Sequence, residues 1–380
     1  MKIIADENIP CVEQAFASLG EVTLLPGRGM QPEQLRDADI LLVRSVTAVD
    51  QALLEHSSVR FVGSATIGFD HVDRYWLQQH DIGFATAPGC NATSAAEYVV
   101  SALLVLAERK GFALAGKTVG IIGCGNVGSR VRKKLAALDM RCVANDPPLQ
   151  AQGGHDDFVS LDEALQADVV TVHVPYIRDG SYSTHHLIDA ARLEKLPAGA
   201  LFINTSRGAV TDNRALDTLL ARRDDLSVVL DVWEGEPAIN TSLLQRVDLG
   251  TPHIAGYSLD GKLRGTEMIY RSACDWFGHA GHWQAADYLP AGSVVEFSES
   301  GVTAMLQAAV FSVYDIRADD VRLRAMLALP PGEQPAYFDR LRKEYPVRRE
   351  FSASSVLVDN ANSECESILR GLGFPVVVSA

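Results

Sequence analysis

The feature that most constrains the fold is a glycine pattern in the stretch TVGIIGCGNVGSRVRKKLAAL, where Gly123, Gly125 and Gly128 have the spacing Gly-x-Gly-x-x-Gly. An apolar run precedes the pattern and a stretch with helical character follows it, which is the context that a dinucleotide-binding turn requires. The first two glycines allow a tight turn and the close approach of a pyrophosphate, and the third lets helix and strand pack closely. The N–H groups at the helix start, around Asn126 and Val127, would then bind phosphate.

An acidic residue at the end of the next predicted strand completes this pattern. Asp146 closes the run RCVAND, at the place where such units carry an acid that binds ribose hydroxyls. Because a carboxylate there repels a 2′-phosphate, the sequence predicts NAD rather than NADP as cofactor. Two alternatives stay open at this point: a glycine-rich turn in an unrelated α/β protein, and a methyltransferase, which the third glycine disfavours.

Short apolar runs rich in β-branched residues alternate with helix-like stretches along most of the chain. This alternation predicts α/β architecture with doubly wound parallel sheets. The strands predicted before residue 90 are Lys2–Ala5, Val22–Leu25, Ile40–Val43, Phe61–Gly63 and Ile82–Ala85, with helices at Val12–Leu19 and Val72–Gln79. Those predicted after residue 117 lie in TVGIIG, RCVAND, DVVTVHVP, ALFINTS and SVVLDV.

Two further segments carry local signals. Ser94 and Glu97 have the Ser-x-x-Glu spacing of a helix-starting capping box, and Gly111 is placed to end that helix. After about residue 290 arginine clusters appear, and the chain closes on the apolar run FPVVV. This tail predicts a third, small α/β unit, in which Arg348 and Arg349 are expected on a solvated face, with contact to a partner subunit's site as the alternative.

Composition excludes several classes of protein. The chain has 380 residues and a net charge of −14, so a nucleic-acid partner, which needs a basic surface, is not expected. The six cysteines form no Cys-x-x-Cys pair, which disfavours zinc and disulfides and is typical of a reducing cytoplasm. No apolar run reaches the length of a membrane helix, and acids stand where a signal peptide would need its apolar stretch. A metal site at the adjacent His185 and His186 is also not expected, since no acid or cysteine lies nearby at ligand spacing.

Three residues lie in segments at or just beyond strand ends, on the side where open α/β sheets bind ligands. Arg207 lies in INTSRGAV, Glu236 in LDVWEGEP and His253 in TPHIAGYS. An arginine binds a carboxylate and a developing ketone, a histidine accepts the proton of a hydroxyl, and a carboxylate orients that histidine. Together they supply what the oxidation of a 2-hydroxy acid requires.

The order and spacing of these motifs over residues 1–285 resemble the NAD-dependent D-2-hydroxyacid dehydrogenase family. The resemblance implies that Arg207, Glu236 and His253 are catalytic, and that an NAD-binding Rossmann domain, 94–256, interrupts a substrate-binding domain formed by 1–93 and 257–288. It also implies a cofactor groove and a loop, VGSATIGFDHVD, that binds the substrate carboxylate. The groove would be lined by Pro175, Thr205, Ser206, Asp231 and Gly256, and the loop would act through Ser64, Ala65, Thr66 and Gly68.

The stretches ADENIP, LLVRSVTAV and PGCNATSAAEYV, with the long tail, resemble one branch of this family. That resemblance implies a phosphorylated 2-hydroxy acid as substrate and a homodimer formed through a C-terminal domain, 289–380. The expected architecture is therefore two doubly wound Rossmann/flavodoxin-like parallel-sheet domains plus a small C-terminal α/β dimerisation domain. Arg44, Ser45 and Tyr257 are candidates for contacts to the far end of the substrate, with a surface ion pair as the alternative for Arg44. Two other functions stay open: oxidation of a different 2-hydroxy acid such as a glycerate, and an NAD-sensing binding protein.

Overall fold

Two units, each built around a parallel sheet, make up the chain. The computed structural model describes residues 1–153, 157–297, 301–359 and 363–379. The first unit comprises Met1–Asn91 and Ser258–Ala291, and the second comprises Ala92–Tyr257 and Gly292–Ala380.

The first unit contains a five-stranded parallel sheet of order β2-β1-β3-β4-β5. This order is that of flavodoxin-like doubly wound folds, which bind ligands beyond the carboxyl ends of their strands. The strands are β1 Lys2–Asp6, β2 Glu21–Leu25, β3 Ile40–Val43, β4 Phe61–Ser64 and β5 Gly83–Ala85. The helices are Val12–Phe16, Pro32–Leu35, Gln51–Leu54, Arg74–Gln79 and Leu259–Phe277, with a 3₁₀ turn at Ala285–Tyr288.

The second unit contains a six-stranded parallel sheet of order β11-β10-β9-β8-β6-β7. A single bridge between Ala144 and Phe158 adds a rudimentary further strand beyond β7, so the order corresponds to that of a Rossmann sheet. The strands are β6 Thr118–Ile122, β7 Arg141–Asn145, β8 Val169–Val172, β9 Leu201–Asn204, β10 Ser227–Leu230 and β11 Leu249–Gly250. The helices are Ala92–Lys110, Asn126–Ala137, Pro147–Ala151, Leu161–Ala164, Ala190–Glu194, Asn213–Leu220 and Thr241–Arg246, with a 3₁₀ turn at Gly208–Val210.

The C-terminal segment of the second unit forms a small parallel sheet of order β12-β13-β14. Its strands are β12 Ser293–Val295, β13 Ser354–Asp359 and β14 Val376–Ser379, and its helices are Val302–Val313, Ile316–Arg324, Gln334–Lys343 and Ser363–Leu372. Two 3₁₀ turns lie at Ala325–Ala328 and Phe351–Ala353. The predicted fold class, with two doubly wound sheets and a small C-terminal α/β element, is confirmed.

One hydrophobic core is shared by the C-terminal segment and the rest of the second unit. Leu103 and Leu135 belong to it, and so do Leu306, Phe351 and Leu369 from the C-terminal segment. Part of the buried apolar surface of the segment is therefore covered by the helices that flank β6, and another part, with Leu323 and Phe338, packs in a second core that includes Leu244.

The long helix Ala92–Lys110 presents a polar stripe to the C-terminal segment. Tyr98 stacks on Tyr314 with ring centroids 6.1 Å apart, and Ser101 Oγ donates to the Tyr314 carbonyl at 3.0 Å. The Ser94 carbonyl accepts from Arg348 Nη2 at 2.7 Å. Since residues three and four apart share one helix face, Ser94, Tyr98 and Ser101 form a single contact line.

Glu97 belongs to this stripe and corrects one prediction. The helix begins at Ala92, so Ser94 and Glu97 lie inside it and the predicted capping box is wrong. The Glu97 carboxylate is fully buried, accepts from the Phe351 N–H at 3.1 Å and lies 3.3 Å from Lys134 Nζ. Burial raises the pKa of Glu97 to about 7, against the opposing effect of the Lys134 charge. Its partners come from distant parts of the chain, which is why a local pattern misassigned it.

Three smaller findings concern helices and cysteines. Within the described ranges, no helix combines the length and the hydropathy that crossing a membrane would require. All six cysteines lie in described parts of the chain and are free thiols. The helix predicted from Val72 starts at Arg74, because Asp73 accepts the Trp76 N–H at 2.9 Å and so caps it.

Candidate active site

The glycine turn after β6 has the geometry that the sequence predicts. Gly123 has a φ of +87°, a left-handed conformation that side chains disfavour. A Cβ at Gly128 would lie 2.0 Å from the Gly123 carbonyl oxygen, so only glycine lets helix Asn126–Ala137 start this close to the strand. A Cβ at Gly125 would meet nothing within 4 Å, which leaves open space in front of the helix start. The exposed turn and the unpaired N–H groups of the first helical turn fit the pyrophosphate of NAD.

Asp146 lies beside this turn, at the end of β7. Its Oδ2 accepts the Cys124 N–H at 2.8 Å, and its Oδ1 caps helix Pro147–Ala151 through the Leu149 N–H at 3.1 Å. These two bonds fix the carboxylate next to the glycine turn, where the ribose of NAD would be held.

His173, after β8, is held neutral between two threonines. Its Nε2 lies 2.9 Å from Thr171 Oγ1 and its Nδ1 lies 3.1 Å from Thr205 Oγ1. Desolvation lowers the pKa of His173 to about 3. With both ring nitrogens engaged, His173 orients Thr205 rather than carrying a proton. Pro175, two residues further, is exposed, and its carbonyl accepts from Thr184 Oγ1 at 2.6 Å.

Arg207 follows β9 on a turn that fits tightly under the neighbouring strand. Its Nη1 donates to the Ser206 carbonyl at 2.8 Å, and Ser206 is fixed by two bonds to Asn204 Oδ1. A Cβ at Gly208 would lie 2.0 Å from the Trp233 carbonyl carbon, so the turn packs directly on the segment after β10.

A reciprocal clamp holds this turn in place. Glu234 Oε2 accepts the Asn213 N–H at 3.0 Å, and Asn213 Oδ1 accepts the Glu234 N–H at 3.1 Å. His186 joins the clamp, with Nε2 2.7 Å from Glu234 Oε1 and Nδ1 4.0 Å from Asp212 Oδ2. The sequence predicted no acid near His186, and this is wrong, because two acids that come later in the sequence lie beside it in the folded chain. The Glu234 and Asp212 carboxylates also accept backbone N–H groups, which indicates that they hold the arginine turn in place. The absence of a metal at this histidine stays a prediction.

The structure brings His253 and Glu236 together. His253 Nδ1 lies 2.8 Å from Glu236 Oε2, and Glu236 Oε1 accepts the Trp233 N–H at 2.7 Å. Burial opposes ionisation of Glu236, but the His253 charge and hydrogen bond, the Trp233 N–H and the Arg342 charge together lower its pKa. An ionised carboxylate only accepts, so Nδ1 carries a proton and Nε2 of the neutral ring is left as a base.

Asp231, at the end of β10, fixes the backbone on both sides of His253. Its carboxylate accepts from Thr251 Oγ1 at 2.7 Å, from the Ile254 N–H at 2.7 Å and from the Ala255 N–H at 2.9 Å. Its carbonyl accepts the His253 N–H at 2.7 Å. These bonds hold His253 at a φ of +57°, which turns its ring towards Glu236.

Tyr257 lies next to Gly256 at the end of this loop and contacts the C-terminal segment. Its ring meets Tyr345 edge-on, with centroids 5.7 Å apart, and the Arg342 guanidinium lies 6.0 Å from its centroid. Arg348 is only 5% exposed and donates to the Ala255 carbonyl at 3.1 Å, so its predicted position on a solvated face is wrong. Sequence reasoning missed Arg342, because nothing local links residue 342 to residue 257.

In the first unit, the loop after β4 is internally bonded. Ser64 is fully buried, and its Oγ lies 2.8 Å from Thr66 Oγ1 and 3.1 Å from His71 Nε2. The Ala65 N–H donates to the Val43 carbonyl at 2.9 Å, and the Gly68 carbonyl accepts from Thr66 Oγ1 at 3.1 Å. This loop lies at the carboxyl ends of β3 and β4.

Two cations lie near the carboxyl end of β1 in the same unit. Arg44 Nε pairs with the fully buried Asp6 at 3.1 Å, the Arg44 side chain itself is 29% exposed, and Ser45 beside it is exposed. The sequence analysis did not predict Lys262, which lies on helix Leu259–Phe277. One turn further along this helix, Thr266 Oγ1 donates to the Pro10 carbonyl at 2.9 Å, which fixes the helix beside the segment after β1. Burial, and then the Arg44 charge, lower the pKa of Lys262 to about 8.

Comparison with known proteins fits this geometry. Residues 95–255 match the family model described as D-isomer specific 2-hydroxyacid dehydrogenase, NAD binding domain, and residues 288–373 match a domain of unknown function. The NAD⁺-bound 3-phosphoglycerate dehydrogenase of Entamoeba histolytica is 25% identical with a TM-score of 0.62, covering 73% of this chain and 95% of that one. The D-lactate dehydrogenase of Aquifex aeolicus, at 24% identity and a TM-score of 0.59, covers 73% and 96% and shares the fold.

Full-length relatives are more similar. Erythronate-4-phosphate dehydrogenases of Escherichia coli O1:K1 / APEC and of strain SMS-3-5 / SECEC are each 49% identical over 380 residues, covering 99% of both chains. Fold, family model and full-length relatives define the class as NAD-dependent D-2-hydroxyacid dehydrogenases. Within that class, the chain belongs to the erythronate-4-phosphate dehydrogenase family. The predicted family and the predicted cofactor are thereby confirmed.

The contact between Glu236 and His253 leads to a first prediction. In Glu236→Gln the amide oxygen can still accept the Trp233 N–H, but the amide nitrogen cannot accept from His253 Nδ1. We expect turnover of a 2-hydroxy acid to fall by about 10- to 100-fold, because the histidine loses its orienting acceptor. Steady-state kinetics measure the loss, and NAD titration by fluorescence serves as the control, with unchanged affinity expected. Turnover within a few-fold of the unsubstituted protein would show that Glu236 does not orient the histidine.

Proposed function

We propose that the protein oxidises the C2 hydroxyl of 4-phospho-D-erythronate to 3-hydroxy-2-oxo-4-phosphobutanoate, with NAD as acceptor, in the synthesis of pyridoxal 5′-phosphate. The observation that best supports this oxidation is the 2.8 Å contact between His253 Nδ1 and Glu236 Oε2, beside the carboxyl ends of β10 and β11. The 49% identity with erythronate-4-phosphate dehydrogenases over nearly the whole chain supports the choice of acid.

The proposed reaction divides between named groups. His253 Nε2 removes the proton of the C2 hydroxyl, and Glu236 stabilises the imidazolium that forms. NAD, when bound, accepts the hydride that leaves C2, so that the C2–O bond becomes a carbonyl. Arg207 binds the substrate carboxylate and the C2 oxygen with its planar set of donors. In the first unit, the loop Ser64 to Gly68 also binds the carboxylate.

The cofactor would be held by the second unit. The turn Gly123 to Gly128 receives the pyrophosphate, Asp146 binds the ribose, and Asp231 and Gly256 lie near the nicotinamide. The rest of the cofactor groove is lined by Pro175, Thr205 and Ser206. Asp231 contributes indirectly, because its carboxylate already accepts the N–H groups of Ile254 and Ala255, directly after His253.

A panel of acids tests this function. Protein with NAD is offered 4-phospho-D-erythronate, 3-phospho-D-glycerate, D-glycerate and D-lactate, with a carbonyl trap, and the absorbance of reduced nicotinamide is followed. We expect turnover of 4-phospho-D-erythronate with the highest kcat/KM, and a loss of at least about 100-fold in His253→Gln. Preference for another acid would overturn the proposed substrate while keeping the residue roles. NAD binding without any turnover would favour an NAD-sensing protein.

The phosphate of such a substrate needs its own cations, and we propose Arg44 and Lys262, with Ser45 alongside. Helix Leu259–Phe277 approaches the carboxylate-binding loop closely, because a Cβ at Gly265 would lie 3.3 Å from the Ala65 carbonyl oxygen. Lys262 lies on this helix next to the Arg44–Asp6 pair, close enough for Arg44 to depress its pKa. Arg44 is paired with a single buried carboxylate, Asp6, so the two neighbouring cations together leave positive charge for a phosphate dianion.

Replacement of Lys262 tests the phosphate contact. Lys262→Met should raise KM for 4-phospho-D-erythronate by about 10- to 100-fold, the loss of one charge-assisted hydrogen bond, and leave KM for unphosphorylated D-erythronate unchanged. KM of the unsubstituted protein should rise above about pH 8, where Lys262 loses its proton. In Lys262→Arg, which stays protonated, that rise should disappear. An equal effect of Lys262→Met on both acids would exclude a role in binding phosphate.

We also propose that the chain forms a homodimer through residues 289–380. One face of the small sheet β12-β13-β14 packs into the core through Val356 and Val358. The opposite face leaves Val294 63% and Val377 51% exposed, on the two outer strands. An apolar face of this kind is typical of a surface that a second copy covers.

Sedimentation tests the dimer. The unsubstituted protein should sediment as a dimer, and Val294→Glu combined with Val377→Glu should sediment as a monomer, because each charge would be buried at the interface. Val321→Glu, at a 68% exposed position on helix Ile316–Arg324, is the matched control and should remain a dimer. A dimer that persists in the double variant would place the interface elsewhere.

A further inference from the structure

A chain of hydrogen bonds runs through the loop that follows β4 in the first unit. Ser64 Oγ lies 3.1 Å from His71 Nε2 and 2.8 Å from Thr66 Oγ1, and Thr66 Oγ1 donates to the Gly68 carbonyl at 3.1 Å. Four residues of one short segment are thus joined in the order His71, Ser64, Thr66 and Gly68. Sequence reasoning gave His71 no role, although it lies in the same motif, VGSATIGFDHVD, as the loop.

The direction of this chain follows from the protons available. A hydroxyl carries one proton, and Thr66 uses its own on the Gly68 carbonyl, so Ser64 must donate to Thr66. Ser64 then has no proton left for the histidine, so His71 Nε2 donates to Ser64 Oγ. Burial lowers the pKa of His71, against the opposing charge of Asp70, which favours a neutral ring with its proton on Nε2. His71 is therefore the donor at the head of the chain.

The backbone at His71 is fixed independently of these side chains. The His71 carbonyl accepts the Val49 N–H at 2.8 Å, and the Val49 carbonyl accepts the Asp73 N–H at 2.8 Å. Val49 is fully buried and lies between β3 and helix Gln51–Leu54, so the histidine is held from the connection after a neighbouring strand. A ring donor on fixed backbone can hold the hydroxyls of the loop in one orientation.

Two carbonyls of the loop have internal partners, whereas its N–H groups do not. The Thr66 carbonyl accepts the Ala87 N–H at 3.1 Å, and the Gly68 carbonyl accepts from the Thr66 hydroxyl. The N–H groups of Thr66, Ile67 and Gly68 have no hydrogen-bond partner among the described residues. Successive backbone N–H groups suit an anion, and a carbonyl turned towards that anion would repel it. Internal partners for the carbonyls therefore keep the loop suited to a carboxylate.

We propose that His71 is a positioning residue for the substrate carboxylate, which donates to Ser64 and thereby keeps the Gly68 carbonyl inside the loop and the loop N–H groups available. This inference rests on the proposed function, which assigns the substrate carboxylate to this loop. His71 acts through Ser64 and Thr66 rather than on the substrate. Without the ring donor, the Ser64 hydroxyl is free to turn away from Thr66, and the Gly68 carbonyl is held less firmly.

Kinetics with two acids test this role. His71→Leu should raise KM for 4-phospho-D-erythronate and for D-erythronate by a similar factor of about 10, because both acids carry the same carboxylate. The value of kcat should change much less, and NAD affinity should stay the same. His71→Gln, whose amide N–H can replace the ring donor, should recover most of the loss. His56→Leu, at a position 80% exposed in the same unit, is the matched control and should leave both KM values unchanged.

A double variant tests the chain of hydrogen bonds itself. Thr66→Val removes the hydroxyl between Ser64 and Gly68, so His71 can no longer act on the Gly68 carbonyl. His71→Leu should then add little to the KM of Thr66→Val, whereas independent residues would multiply their effects. Multiplied effects would overturn the proposal. Nitrogen NMR of the His71 ring needs no substrate and should show the proton on Nε2; a proton on Nδ1 would reverse the chain and overturn the proposal as well.

A binding measurement separates this proposal from the proposed function. Oxalate, a small dicarboxylate, is titrated onto the protein with NAD and followed through the amide signals of Ile67 and Gly68. Its affinity should fall by about 10-fold in His71→Leu and recover in His71→Gln. Equal oxalate affinity in His71→Leu and the unsubstituted protein would overturn the proposal, and so would a lowered thermal midpoint with unchanged KM, which shows a structural role only. If no acid is turned over, the proposed function fails, and the oxalate titration still decides the role of His71.

Discussion

A single buried carboxylate, Asp231, determines where His253, the proposed base, can be. Its two oxygens bind the Thr251 hydroxyl and the N–H groups of Ile254 and Ala255, and its carbonyl binds the N–H of His253. Hydrogen bonds to an ionised acceptor are stronger than neutral ones, and burial strengthens them further. The left-handed backbone at His253 is maintained by these bonds, and the contact with Glu236 depends on it. The position of the His253 ring is therefore set mainly by the backbone of residues 253–255, which Asp231 holds at the end of β10.

The surroundings of that loop show how the C-terminal segment contributes to the same site. Thr251 also bonds to the Tyr98 hydroxyl at 2.7 Å, and Tyr98 stacks on Tyr314. Arg348 closes the arrangement from the other side by donating to the Ala255 carbonyl. A chain of contacts thus runs from Asp231 through the long helix to the C-terminal segment. In this chain, the segment that matches a domain of unknown function supplies residues that support the His253 loop.

Sequence patterns were sufficient for the sheets and for the three catalytic candidates. Parallel strands are buried on both faces and appear as continuous apolar runs, so β1 and β3 to β10 could be located to within a residue or two. Arg207, Glu236 and His253 follow neighbouring strands, and their common sheet edge follows from topology. Strand β11 has only two residues and carries no such signal. Arg348 could not be found because charged residues are normally exposed, and its burial depends on partners far away in sequence. Lys262 and Arg342 were missed for the same reason, although each is only partly buried.

The polar stripe on helix Ala92–Lys110 has a consequence for relatives of this chain. Glu97 and Ser101 are buried there and bond through their side chains to the C-terminal segment, to the Phe351 N–H and the Tyr314 carbonyl. Ser94 bonds to it only through its backbone carbonyl, and the Tyr98 ring stacks on Tyr314. In a relative without that segment, the Glu97 carboxylate and the Ser101 hydroxyl would each lose a hydrogen-bond partner. These two positions on the long helix are therefore where we expect dehydrogenases with and without the extension to differ.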